Sequence, residues 1–162
     1  MEEHDIDTLN HLIWRRFHNV ASFMRKLRER ELSRYGVTVQ QAGVLHHAKS
    51  LGENATLTAI ARAQYREPAA VSVSLNRLEK QGYLYRRKRT GVGNQTQAII
   101  TQKGLDVLSQ TARRETIERS LSSLSVSQKQ QLMELLTEIR GTVIKEMADY
   151  HRDSFLDNFQ RD

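Results

Sequence analysis

Apolar side chains return at Ile6, Leu9, Ile13, Phe17, Val20, Met24 and Leu27, at spacings of three and four. That period places one apolar stripe along a helix. The stripe runs out near Arg34-Tyr35-Gly36, where glycine suits the residue that follows a helix end. Thr38 to Gln41 spells T-x-x-Q, a capping box that opens a second helix, and Ala42, Leu45 and Ala48 carry its face as far as Gly52. A third, short helix opens at Ala55 or Thr56, with Leu57, Ile60 and Ala61 apolar. Pro68 sits where a first helical residue belongs, and Val71, Leu75 and Leu78 follow at helical spacing until Gly82.

The pattern then changes. Tyr83, Leu84 and Tyr85 on one arm and Ala98, Ile99 and Ile100 on the other read as strands, with TGVGNQ between them as a hairpin tip. Thr101 caps another helix carrying Leu105, Leu108 and Ala112. Ser125 to Gln128 repeats the capping-box pattern ahead of a long helix with Leu132, Leu136, Ile139, Val143 and Met147 on one stripe, and Tyr150, Phe155 and Phe159 continue beyond it. The expected order is a long helix, three shorter helices, a hairpin and two long helices. This is a mainly α fold with a small β-hairpin wing. Two short helices and a basic hairpin describe a winged helix-turn-helix. The division that follows is an N-terminal dimerisation helix at 1–35, a DNA-binding winged helix at 36–102 and C-terminal dimerisation helices at 103–162.

Charge sharpens this picture. The net charge of the 162 residues is +6, and residues 53–103, with nine basic and three acidic side chains, hold a surplus of the same size. A basic block between nearly neutral flanks is the electrostatic footprint of a polyanion binder. Arg86, Arg87, Lys88 and Arg89 stand consecutively at the base of the hairpin, facing a phosphate backbone in this reading. Stepping the helix after Pro68 by about 100° per residue puts Ala69, Ser72, Val73, Asn76, Arg77 and Lys80 opposite its apolar side. That face is slim at its start and basic at its end, as a helix entering a major groove requires. An ordinary solvent-exposed face fits the same residues. In the hairpin, Asn94 and Gln95 lie at a tip slim enough for a minor groove.

The chain has one proline, eight glycines and no cysteine. A many-turned β-protein is therefore not expected, and disulfides and thiolate metal sites are excluded. No apolar run is long enough for a bilayer, and the acidic start lacks the apolar core of a secretory signal, so a cytoplasmic location without membrane contact is expected.

GVTVQQAGVL, then TLTAIARAQYREPAAVSVSLNRLEKQGYLYRRKR, then IIT with QKGLDVL, and finally SLSVSQKQQLMELL together resemble the MarR family of bacterial transcription regulators, in order and over nearly the whole chain. The resemblance implies a homodimer built from the terminal helices, each subunit presenting one winged helix to double-stranded DNA, usually as a repressor. By the same resemblance Ser72 falls where a hydroxyl is frequent and Val73 where arginine is common. The family's Asp-x-Arg pair in the wing falls on Val92 and Asn94 and is absent, which leaves Asn94, Gln95 and the cations from Arg86 to Arg89 to take its place. The resemblance also implies a small aromatic or phenolic effector, for which Trp14, Phe17, His18, His46 and His47 are the candidates beside a plain packing role.

His4, His11 and His18 repeat every seven residues, about 10 Å apart on a helix, too far to share one metal ion within a subunit, which leaves only a site across a dimer as an alternative to solvated or interface histidines. The chain lacks a P-loop, G-x-G-x-x-G, H-E-x-x-H and G-x-S-x-G, so neither an enzyme nor a cofactor is expected. The two stripes at 6–27 and 132–147 independently call for a partner, since a small winged helix cannot bury both. A sensor acting through protein partners and a non-specific architectural nucleic-acid binder remain as alternative readings.

Overall fold

The computed structural model describes residues 3–88 and 96–150, with side chains described from 8 to 88 and from 96 to 147. Seven α-helices are described: α1 (Glu3–Ser33), α2 (Val39–Leu51), α3 (Leu57–Ala63), α4 (Pro68–Lys80), α5 (Gln102–Thr111), α6 (Glu115–Ser120) and α7 (Val126–Tyr150). Strands β1 (Leu84–Lys88) and β2 (Thr96–Ile100) pair antiparallel, with Leu84 opposite Ile100, Arg86 opposite Ala98 and Lys88 opposite Thr96. Arg89, Val92, Asn94, Gln95, Phe155 and Phe159 lie outside the described residues, as do the side chains of His4, Ile6 and Tyr150.

The core sits where α2, α3, α4 and the hairpin meet. Val44, Leu45, Ile60, Val71, Leu75, Leu78 and Leu84 are buried there, and Leu32 reaches it from the end of α1. Each such side chain contributes about 1.5–3 kcal/mol by leaving water. The helix starts follow local chemistry. Thr38 and Gln41 form a reciprocal capping box, Thr56 and Thr101 each accept an amide in the first turn of α3 and α5, and Pro68 occupies the first turn of α4. Ser125 and Gln128 exchange the same pair of bonds ahead of α7. The backbone before α3 adds an edge to the hairpin, since the Ala98 amide donates to the Ala55 carbonyl at 2.8 Å.

After α5 the structure departs from the sequence reading. Instead of two long helices after the hairpin, α5 stops at Thr111, Arg114 turns left-handed at φ 49°, and the six-residue α6 intervenes. Ala112 is exposed, and Thr111 takes the buried place. Two residues of α1 make this break tolerable. Arg28 donates to the Thr111 carbonyl at 2.6 Å, and Glu31 accepts the amides of Glu115 at 3.0 Å and Thr116 at 3.4 Å as well as the Thr116 hydroxyl. The two are themselves paired at 2.7 Å. Backbone groups freed at two helix ends thus find charged partners.

Burial alone would push the Glu31 carboxyl up, but the Thr116 hydroxyl and the Arg28 guanidinium outweigh it and hold the group below its ordinary range. The folded state therefore binds the Glu31 proton less readily than the unfolded chain does. The resulting stability is complete above the ordinary carboxylate pKa and is lost as pH falls through the lowered one. Glu31→Gln is expected to cost roughly 2 kcal/mol at pH 7, the scale of hydrogen bonds to a charged group. The gap from the parent chain should narrow in melts run at progressively lower pH. A gap that does not change with pH would show that the ionised carboxylate is not what caps α6.

Candidate nucleic-acid interface

Helix α4 buries Val71, Ser74, Leu75 and Leu78, which fixes the direction of its opposite face. Ala69, Val73, Asn76, Arg77 and Lys80 are exposed on that face, and Ser72 is half-buried. Ser72 turns toward the wing. It lines a cleft of about 310 Å³ with Thr56, Thr58, Leu75, Arg86 and Thr96. The hydroxyls around this small open cleft can donate to an anionic oxygen.

The cation run divides once it is folded. The Arg86 guanidinium donates to the Glu79 carboxylate at 2.9 and 2.5 Å, and the Arg86 amide donates to the same carboxylate at 3.0 Å. This joins the last turn of α4 to the wing strand. The Arg86 guanidinium, more than the opposing effect of burial, holds the Glu79 carboxyl below its ordinary range. Arg87 and Lys88 project from β1 and are exposed, with Arg87 3.4 Å from the Gln97 amide oxygen. The helix cations Arg77 and Lys80 stand beside them in the sequence of the same unit. The tip residues Arg89, Asn94 and Gln95 are outside the described residues.

The turn between α3 and α4 is braced at a residue that the sequence does not single out. Tyr65 adopts a left-handed conformation at φ 53°. Its amide donates to the Arg62 carbonyl at 3.0 Å, and the Arg66 amide donates to the Ala61 carbonyl at 3.0 Å. Arg140 of α7 lies 5.0 Å from the centre of the Tyr65 ring and donates to its hydroxyl. Neither Glu79 nor Tyr65 carries a motif. Their partners lie in other elements, so spacing along the chain cannot reveal them.

The five aromatic and histidine candidates do not line one cavity. A largely apolar cleft of about 920 Å³ opens between α1 and α7, bordered by Leu9, Ile13, Phe17, Met24, Leu132 and Leu136. Phe17 belongs to it. Trp14 and His18 instead stack on each other at 5.7 Å, with Trp14 61% exposed. His46 and His47 adjoin each other on α2 at 5.3 Å. Burial, helped by the neighbouring His46, pushes the His47 imidazole pKa down. Among the described residues, no group of three or more His, Cys, Asp or Glu is placed to hold a metal ion, and no helix is long and apolar enough to cross a membrane.

Residues 35–93 match the family model described as MarR family. The winged-helix segment belongs to the MarR family. Solved structures extend the likeness beyond that MarR segment. The organohalide-sensing RdhR-CbdbA1625 transcriptional regulator in its 2,4-dichlorophenol-bound form superposes with a TM-score of 0.77, at 24% identity over 88% of this chain and 85% of its own. Sco3205, a MarR family transcriptional regulator from Streptomyces coelicolor in complex with DNA, gives 0.76 at 22% identity, over 82% and 90%. A mutant MarR from E. coli complexed with operator DNA gives 0.71 at 20%, over 83% and 95%. At these identities the likeness is one of fold: a MarR-type winged helix between flanking helices. Among curated sequences none matches the chain significantly.

Proposed function

We propose that this chain is a sequence-specific transcription regulator, a homodimer that represses by holding a pseudo-palindromic operator and lets go when a small molecule binds. The reading is carried by one observation: the face of α4 turned from the core is slim at Ala69, Ser72, Val73 and Asn76, basic at Arg77 and Lys80, and is tied through Glu79 to a cationic wing strand. In this reading α4 enters the major groove and its first two turns meet base edges. Arg87 and Lys88 neutralise backbone phosphates, and the hydroxyl-lined cleft at Ser72 accepts another.

Residues 36–102 are the reading unit, and the ends at 1–35 and 103–162 form the two-fold assembly. The apolar faces of α1 and α7 support this. Phe17 and Ile139, among others, are more than half exposed in the single chain. A seam of that length is covered most simply by the same seam on a second copy. The cleft between the two helices also has the size and lining of a small-molecule site. An aromatic or phenolic effector seated there would compete with, or reshape, the contact between copies and so change the distance between the two reading helices. The bound dichlorophenol of one structural relative is in keeping with that class of ligand.

Selection of bound duplexes from random DNA by the purified protein tests the reading. Enrichment of a palindrome with half-sites about one helical turn apart is the expected result. Retention without a consensus would favour an architectural binder, and no retention a sensor that works through protein partners. A finer prediction concerns the wing. Arg87→Ala should weaken binding to every sequence and reduce the slope of log affinity against log salt by about 0.9, one phosphate's share. An unchanged slope would remove Arg87 from the contact.

A further inference from the structure

We propose that Val73 reads the 5-methyl group of a thymine, so that each operator half-site carries an A·T pair at one fixed position opposite the middle of α4. This rests on the DNA-reading function above and specifies which base that face selects. The starting observation is a β-branched apolar side chain, 50% exposed, at the centre of the polar face of α4. Ala69 lies one turn before it, and Asn76 and Arg77 lie three and four residues after it, all exposed. By helical geometry these four are neighbours on one surface. Val73 is thus the largest apolar group on a strip that is otherwise small or polar.

In the major groove, guanine offers N7 and O6, adenine N7 and its amino group, and cytosine its amino group. Thymine alone offers a methyl group. An isopropyl group has no hydrogen bond to give. Pressed against a guanine, adenine or cytosine edge it strips water from a polar group and leaves that group unpaired, which carries a penalty. Against the thymine methyl it buries carbon on carbon. Attraction and penalty therefore point to the same base, and a residue without any donor or acceptor still discriminates. Asn76 lies about 4.5 Å further along the helix axis on the same face, so a hydrogen-bonding side chain adjoins the apolar contact.

The test uses the full chain and the duplex it selects. Each thymine of the half-sites is replaced in turn by deoxyuridine, which keeps base pairing and removes only the methyl. The change is made symmetrically in both half-sites. One position is expected at which binding falls about fourfold per half-site, and so about fifteenfold for the symmetric pair. Fourfold corresponds to about 0.8 kcal/mol, the value of one buried methylene. Val73→Ala, at an exposed site where folding is undisturbed, should bind the thymine and uracil duplexes equally. Placing 5-methylcytosine opposite guanine at that position should recover binding relative to unmethylated cytosine in the parent chain and not in Val73→Ala. If no thymine-to-uracil exchange weakens the parent chain, or if Val73→Ala keeps the loss, methyl reading is overturned while operator binding stands. If no duplex is enriched in the first place, the DNA-reading function fails and takes this inference with it.

Discussion

Phe17→Asp combined with Leu132→Asp is expected to yield a folded monomer whose affinity for a palindromic duplex is lower by about 10²–10⁴. The two positions face the cleft between α1 and α7 and are 57% and 38% exposed in the single chain. Neither takes part in the core formed by α2, α3, α4 and the hairpin, so the winged helix should keep its melting temperature. In a two-fold seam the double substitution places four carboxylates in a largely apolar contact, where each loses hydration that Arg16 and Lys129 at its border do not fully replace. The affinity loss follows from geometry. Two reading heads on one body bind the second half-site at a high effective concentration, and that advantage is commonly two to four orders of magnitude. Sedimentation and a duplex titration read the two effects separately. A variant that remains a dimer, or a monomer that binds the palindrome as tightly as the parent, would place the assembly surface elsewhere or remove it from the DNA-binding argument.

The features legible in the sequence are those decided within a few residues. Thr38 with Gln41 and Ser125 with Gln128 state their capping boxes outright, and Pro68 marks the start of α4 because a proline there forfeits nothing. The outward face of α4 was legible for the same reason, since helical phase is a local property. The break after α5 was not. Its opened backbone groups are satisfied by Arg28 and Glu31, more than eighty residues earlier, and no pattern near Arg114 announces that help. The cation run shows the same limit. Arg86 and Arg87 read alike, but strand register turns them to opposite sides of the hairpin, and Glu79 is waiting on only one of them. The candidate ligand residues failed to converge because Phe17 falls inside the apolar arc of α1 while Trp14 and His18 fall outside it, and His46 and His47 belong to another helix.

The contacts that sequence reasoning missed also suggest how the parts of the molecule communicate. Helix α7 grips the turn ahead of the reading helix through Arg140 and Tyr65, and the reading helix grips the wing through Glu79 and Arg86. Under the proposed function, a displacement of α7 by an effector would have a direct mechanical route to α4 and onward to β1, with a charged hydrogen bond at each joint.

Gly104→Ala is expected to be among the most destabilising single-methyl changes available in this chain. On propensity alone it should help, because alanine in a helix is better than glycine by about 1 kcal/mol. Packing decides otherwise. A Cβ at Gly104 would stand 2.1 Å from the Tyr83 carbonyl oxygen and 2.7 Å from the Ile100 methyl. The first is backbone and has little room to retreat. The Thr101 amide donates to that same Tyr83 carbonyl at 3.1 Å, and the Thr101 hydroxyl donates to the Gly82 carbonyl at 2.7 Å. The start of α5 is thus stitched to the link between α4 and the wing, and glycine is what permits the approach. Overpacking of this kind costs about 3 kcal/mol net, and at roughly 2–4 °C per kcal/mol the melting temperature should fall by about 6–12 °C. Gly141→Ala is the control. There an added Cβ meets nothing within 4 Å, so the propensity gain of about 1 kcal/mol should appear as a stabilisation. Should Gly104→Ala melt at or above the parent temperature, the close approach of α5 to Tyr83 is wrong. The placement of the wing against α4, on which the proposed DNA contacts depend, would then have to be redrawn.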